Sequence, residues 1–136
     1  MENTEWIVFF SRILLGLLLI VQGFDKIFVL GISKVVESFR FEFRRFNFPG
    51  PLLLLAALGS SIIEFAGGLF LIAGLGRDFV LPIIGFDLLL VSFAFTLIKP
   101  VWDMREVFPR FFLLVLLFII SPVFDPWSLD RLLGLF

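Results

Sequence analysis

Three charged side chains stand inside apolar stretches of the sequence: Arg12, Glu64 and Asp87. Glu64 lies near the middle of residues 58–75, a run long and apolar enough to form a membrane-spanning helix. A charge at bilayer depth is costly, so it should face the protein interior and find a partner there. Such a carboxylate can hold a proton, bind a ligand or fix the packing of helices, and the sequence leaves these roles open.

The depth of each charge follows from the rise of an α-helix, about 1.5 Å per residue. Measured from the side of the chain termini, Arg12 should lie roughly 9 Å deep, Asp87 roughly 12 Å and Glu64 roughly 16 Å. An unpaired buried charge is far costlier than a paired one, so we expect Arg12 to bond Asp87, Glu64 or both. This layer is predicted either to fix helix register or to form a polar pocket for a headgroup or a proton.

The first apolar segment, residues 6–30, carries a stripe of polar and small side chains. At about 100° per residue, one arc of the helix holds four of them: Arg12, Gly16, Gly23 and Lys26. Gln22 lies at the margin of this stripe. Gly67 and Gly68 share a side with Glu64 in the second apolar segment, and small residues of this kind let two membrane helices approach closely.

The composition is that of a multi-pass membrane protein. Of the 136 residues, 60% are hydrophobic and 17% charged, which is more apolar and less charged than a soluble domain. The absence of Cys and His removes thiolate sites and the common haem and transition-metal ligand. We therefore expect no metal site and no intrinsic cofactor, and a quinone or other redox group would be held non-covalently or belong to a partner. The net charge of −1 says nothing about a nucleic-acid partner, but the sequence shows no basic motif of that kind, so we expect none.

The predicted fold is all-α, a four-helix transmembrane bundle in a single integral membrane domain over residues 1–136. Its spans are predicted over about 6–30, 51–75, 79–98 and 107–124. Between the first two, residues 32–46 place apolar side chains on one side and most charges on the other, which is typical of an interfacial amphipathic helix. A strand is the alternative, because Phe39, Phe41 and Phe43 alternate with charges.

Four spans place both termini on one side of the membrane. Most Lys and Arg residues outside the spans fall in the two loops of the other side, residues 31–50 and 99–106. The positive-inside rule then predicts that both loops are cytoplasmic and both termini lie outside.

Three motifs in this order resemble the DoxX family of small bacterial membrane proteins. The first is Arg12-x3-Gly16-x6-Gly23-x2-Lys26, where Gln22 replaces a histidine that the family often has before the glycine. The second is Glu64-Phe-Ala-Gly67-Gly68-x5-Gly74, similar to an E-x-x-G-G block. The third is a closing S-L-D signature in Trp127-Ser128-Leu129-Asp130, which we expect to cap the bundle.

The resemblance implies a four-helix bundle in the bacterial cytoplasmic (inner) membrane. Relatives include a subunit of thiosulfate:quinone oxidoreductase, and others are linked to thiol and oxidative-stress complexes or act as membrane assembly factors. The leading hypothesis is an accessory subunit of a quinone-linked redox complex, with the quinone contacting the chain near Arg12, Glu64 and Asp87. Gln22 and Lys26 are further candidates for binding a ligand or a proton. The alternatives are a non-enzymatic assembly factor or scaffold and a carrier for protons or a small solute. Besides the bilayer, we expect a protein partner or a second copy of the chain. Because Gln22 replaces the family's histidine, we do not expect the chain to be catalytic alone.

Overall fold

In this computed structural model, residues 3–98, 105, 107–120 and 124–135 are described. They form helices joined by short turns and contain no strand, so the predicted all-α class is confirmed. In chain order the helices are α1 (Asn3–Phe24), a π-helix (Asp25–Leu30) that continues α1, α2 (Ile32–Glu42), α3 (Gly50–Ala73), α4 (Arg77–Ile98), α5 (Phe108–Ile119) and α6 (Leu129–Leu132).

Three helices are long and apolar enough to cross a membrane: Asn3–Leu30, α3 and α4. α5 is equally apolar but has only 12 residues, or about 18 Å of helix, which is less than the roughly 30 Å of a hydrocarbon core. Residues 121–123 of the predicted fourth span lie outside the described residues, as does most of the predicted polar loop 99–106.

α1 and α3 pack closely through glycines. A Cβ atom added to Gly16 would lie 2.9 Å from the carbonyl oxygen of Gly68, and one added to Gly23 would lie 2.5 Å from the backbone nitrogen of Phe65. Only a glycine leaves room for backbones this close. The stripe of small residues in the first segment therefore faces α3.

The segment between the first two spans begins as the amphipathic helix α2. Its Val35 is buried, with 5% of its surface exposed, and the strand alternative is wrong. The helix ends at Glu42 rather than at residue 46. Asn47 has a left-handed backbone (φ 48°), and Pro49 restricts the residue before it to extended conformations, so the chain turns before α3 starts.

The apolar core joins α1, α3, α4 and α5. Its buried members are Val8, Leu15, Leu19, Leu71, Leu81, Ile84, Leu88, Leu114 and Leu117. Large apolar side chains on the outward sides of the same helices stay exposed, for example Phe79 (78%) and Phe86 (65%). Such a surface suits contact with lipid.

Candidate functional site

Arg12 does not bond Glu64 or Asp87, so that prediction was wrong. Its Nε atom lies 2.9 Å from Oδ2 of Asp125, and its Nη1 atom donates to the carbonyl oxygens of Leu71 (2.8 Å) and Ile72 (2.6 Å). Helical side chains point toward the N-terminus of their own helix. That direction carries the guanidinium to the C-terminal end of α3, where free carbonyls favour a cation.

The partners of Arg12 belong to a terminal cluster, which we define as Arg12, Arg77, Asp125 and Asp130. Arg77 is 6% exposed and donates to the carbonyl oxygens of Leu117 and Ile120 on α5. Asp125 follows α5 and is 1% exposed. Burial raises the pKa of the Asp125 carboxyl above its ordinary value, while Arg12 and Arg77 oppose that rise.

Asp130 and Ser128 show how the S-L-D sequence works as a cap. The Asp130 carboxylate accepts from the backbone N–H groups of Gly76 (2.9 Å) and Arg77 (3.2 Å), which begin α4. Ser128 accepts from the Arg131 N–H and caps α6. The Trp127 ring packs on Trp6, with centroids 4.9 Å apart. These contacts tie the C-terminal segment to the start of two spans.

Glu64 belongs to a second group of polar and charged side chains, the Glu64 cluster. Its members come from α1 with its π-helical continuation and from α3, α4 and α5. They are Gln22, Lys26, Glu64, Asp87 and Arg110. Glu64 is 1% exposed; its Oε2 atom lies 2.6 Å from Lys26 Nζ, and its Oε1 atom lies 3.7 Å from Arg110 Nη1. Arg110 Nη1 also donates to the Gln22 side-chain oxygen. Two cations, Lys26 and Arg110, therefore lie close to Glu64, for which the sequence had predicted Arg12 as a possible partner.

Asp87 is the second acid of the Glu64 cluster. It is 5% exposed, and Ser60 donates a hydrogen bond to its Oδ2 atom at 3.3 Å. Glu64, Lys26 and Arg110 act on it electrostatically, yet it forms no ion pair within the described part of the chain. The cluster thus holds one carboxylate with two cations close to it beside a second carboxylate that accepts a hydrogen bond from a hydroxyl group.

Arg110 was missing from the candidates because it stands at the border of a predicted span. Its position in the sequence could have identified it. Lys26 lies near the end of the first span and Arg110 near the start of the last, so both lie toward the same side of the membrane. Their long side chains can reach from the helix ends to a carboxylate deeper in the bundle.

Lys26 lies where the helix changes type. The π-helix Asp25–Leu30 is a rare conformation often found at functional sites, and 26% of the Lys26 side chain is exposed. Phe24, Phe28 and Phe65 form ring contacts with one another, with centroid distances of 4.9 to 6.5 Å. Phe24 and Phe28 are 46% and 62% exposed. The ammonium group therefore reaches a buried carboxylate from a partly exposed position in the π-helix.

Metal ligands are not grouped in the described residues: no three acidic side chains there come together to hold an ion. The arrangement offers instead hydrogen-bond donors and buried carboxylates in an apolar setting.

Comparisons with known proteins give one match. The family model described as DoxX matches residues 7–97, whereas no curated protein and no solved structure matches the chain. The matched residues include four members of the Glu64 cluster and end before Arg110 and the C-terminal cap. Because the match spans about two thirds of the sequence, this chain belongs to the DoxX family.

Proposed function

We propose that the chain is an accessory subunit of a quinone-linked redox complex in the bacterial cytoplasmic membrane, and that a quinone headgroup contacts Lys26. One observation carries the proposal: Lys26 is partly exposed while its ammonium group pairs with the buried Glu64, and the exposed Phe24 and Phe28 stand two residues before and after it in the sequence. A buried ionisable group in a membrane helix is by default a candidate for function.

The residues present fit a quinone in kind. Its headgroup is a flat ring with two carbonyl acceptors, and it resides in the bilayer. Lys26 carries three N–H donors, of which Glu64 takes one in the structure. The exposed Phe24 and Phe28 rings offer apolar surface in the same segment of the chain. When bound, the quinone would supply electron-carrying chemistry to a chain that has no Cys and no His.

The buried members of the Glu64 cluster are positioning residues in this proposal. Glu64 fixes the Lys26 ammonium by a 2.6 Å contact, and Arg110 holds the other oxygen of Glu64 while donating to Gln22. The ion pairs hold Lys26 toward the bundle instead of letting it extend to the membrane surface.

The test measures quinone that stays with the protein after purification in mild detergent. Wild-type protein should retain quinone, quantified by extraction and mass spectrometry. Lys26→Gln removes a charged hydrogen-bond donor worth about 1.5–3 kcal/mol, so retention should fall about tenfold or more. Lys34→Gln, at an exposed lysine of α2, is the control and should retain quinone like the wild type.

Two results would count against the proposal. Unchanged quinone retention in Lys26→Gln would exclude Lys26 as the contact. A protein partner that co-purifies in stoichiometric amount without quinone would favour the assembly-factor or scaffold alternative. Glu64→Gln separates positioning from packing: it should fold normally and reduce quinone retention, whereas a merely structural Glu64 would leave retention unchanged.

A further inference from the structure

The outward side of α2 and the turn after it expose arginines together with aromatic rings. Val35 on the opposite side of α2 is buried against the bundle. We call the exposed group the basic-aromatic surface; it consists of Arg40, Phe41, Arg44, Arg45, Phe46 and Phe48. The Glu64 cluster and the proposed quinone contact do not involve it.

The arginines of this surface are available to a ligand. Within the residues that the structure describes, Arg40, Arg44 and Arg45 form no ion pair. The Arg44 guanidinium lies 4.8 Å from the centroid of the Phe41 ring, and Phe41 is 64% exposed. A guanidinium stacked on a ring keeps its N–H edges free to bind a phosphate in bidentate fashion.

The surface lies at the level where a transmembrane helix begins. A Cβ atom on Gly50, the first residue of α3, would be 3.4 Å from Arg40 Nη2, so the guanidinium sits beside the start of that span. Phe46 and Phe48 stack with centroids 5.8 Å apart and are 41% and 36% exposed. Phenylalanine rings on the apolar side of an interfacial helix are typically buried at the boundary between headgroups and acyl chains.

We propose that the basic-aromatic surface binds the headgroups of anionic phospholipids. Phosphate groups would pair with the three arginines, and the phenylalanine rings would enter the boundary between headgroups and acyl chains. Charge favours this occupant: the segment also carries the exposed Glu37 and Glu42, but with Lys34 it has four basic residues against two acidic ones. The surface therefore attracts an anionic membrane and gives the protein a preference among lipids.

The experiment compares phosphatidylglycerol with phosphatidylcholine on the full-length protein by native mass spectrometry from mixed micelles. Wild-type protein should retain phosphatidylglycerol preferentially, and raising the salt concentration should weaken that preference. Each basic residue near a membrane surface contributes on the order of fivefold in relative binding. The variant Arg40→Gln/Arg44→Gln/Arg45→Gln should therefore lose at least about tenfold of the preference.

Two further variants make the result decisive. Arg131→Gln, at an exposed arginine near the other end of the bundle, should keep the preference. Arg40→Lys/Arg44→Lys/Arg45→Lys keeps the charge and should retain most of it. Equal retention of both lipids by the wild type, or a preference that survives the glutamine variant, would overturn the proposal. If the glutamine variant fails to fold, the wild-type lipid ratio and its salt dependence still decide. The proposal would also be overturned if the glutamine variant lost a bound protein partner while the wild type showed no preference between the two lipids.

Discussion

At the scale of residues, the chain holds two buried groups of charges that differ in whether their cations reach the protein surface. In the terminal cluster, Arg12 contacts one carboxylate and three carbonyls and is 2% exposed. In the Glu64 cluster, Lys26 keeps part of its side chain at the surface, and Asp87 has a hydroxyl partner instead of a cation. The first arrangement suits stability, and the second leaves groups that a ligand can use.

Replacing Arg12 should destabilise the protein. Arg12→Leu leaves the carboxylate of Asp125 without the cation that contacts it and removes the donor to two carbonyls at the end of α3. Breaking a buried ion pair costs about 3–5 kcal/mol, and protonation of the stranded acid brings the loss to about 3 kcal/mol. The melting temperature in detergent should fall clearly below that of wild type.

Two companions test the reason for that loss. Lys34→Leu changes an exposed cation and should melt near the wild-type temperature. Arg12→Leu/Asp125→Leu removes both charges and should recover part of the lost stability. A wild-type melting temperature for Arg12→Leu would show that this ion pair contributes nothing to folding.

At the scale of elements, the close contact of α1 with α3 sets the position of both clusters. The contact runs from Gly16, opposite Gly68, to Gly23, opposite Phe65. Lys26 follows Gly23 by less than one turn of the helix. The close packing of α1 against α3 at Gly23 therefore also brings the Lys26 ammonium group to Glu64 on α3. Van der Waals packing of small residues is the main force available between helices in lipid.

A methyl group on Gly23 should force the two helices apart. In Gly23→Ala the new Cβ would lie 2.5 Å from a backbone nitrogen, and backbone cannot move aside as a flexible side chain can. We expect a loss of about 1–3 kcal/mol and weaker ion pairing at Glu64. Thermal unfolding in detergent measures the first effect.

Gly59→Ala is the matched control, because Gly59 lies within α3 and has no atom within 4 Å of its added Cβ. Alanine there should leave stability unchanged or raise it by about 0.4–1 kcal/mol, since it favours the helix over the unfolded chain. Equal effects of both substitutions would contradict a glycine-dependent contact.

At the scale of the whole molecule, the remaining prediction is the orientation in the membrane. Basic residues concentrate in the loops at 31–50 and 99–106, and α2 with its arginines lies in the first of these. The positive-inside rule predicts that these loops are cytoplasmic, and the basic-aromatic surface would then face the cytoplasmic leaflet.

Cysteine labelling in intact cells checks this orientation, and the chain has no native Cys to interfere. Ser38 and Asn3 are both exposed. Ser38→Cys should be shielded from a membrane-impermeant thiol reagent until the cells are opened, while Asn3→Cys should react at once. The opposite pattern would reverse the orientation and leave the helices as described.

The sequence by itself determined the membrane class, the helical character of the chain and the close-packing side of the first span. These depend on local properties: the length of apolar runs, their helical period, and small residues that recur on one side, as Gly16 and Gly23 do. The cap formed by Ser128 and Asp130 was likewise suggested by a short motif, although the N–H groups that Asp130 accepts from, at the start of α4, became visible only in the structure.

Only the tertiary structure decided which charges meet. Helix rise gives the height of a Cα atom, but a long cationic side chain can reach several ångströms along the bundle in either direction. Arg12 therefore pairs with Asp125, whereas Glu64 is contacted by Lys26, from the π-helix after α1, and by Arg110, from the start of α5. Asp125 and Arg110 lie at the borders of the predicted fourth span. From the sequence, a charge at such a border is expected near the membrane surface, and nothing in the sequence predicts that it is buried. The α1–α3 crossing and the fold of the C-terminal segment supply the reason for that burial.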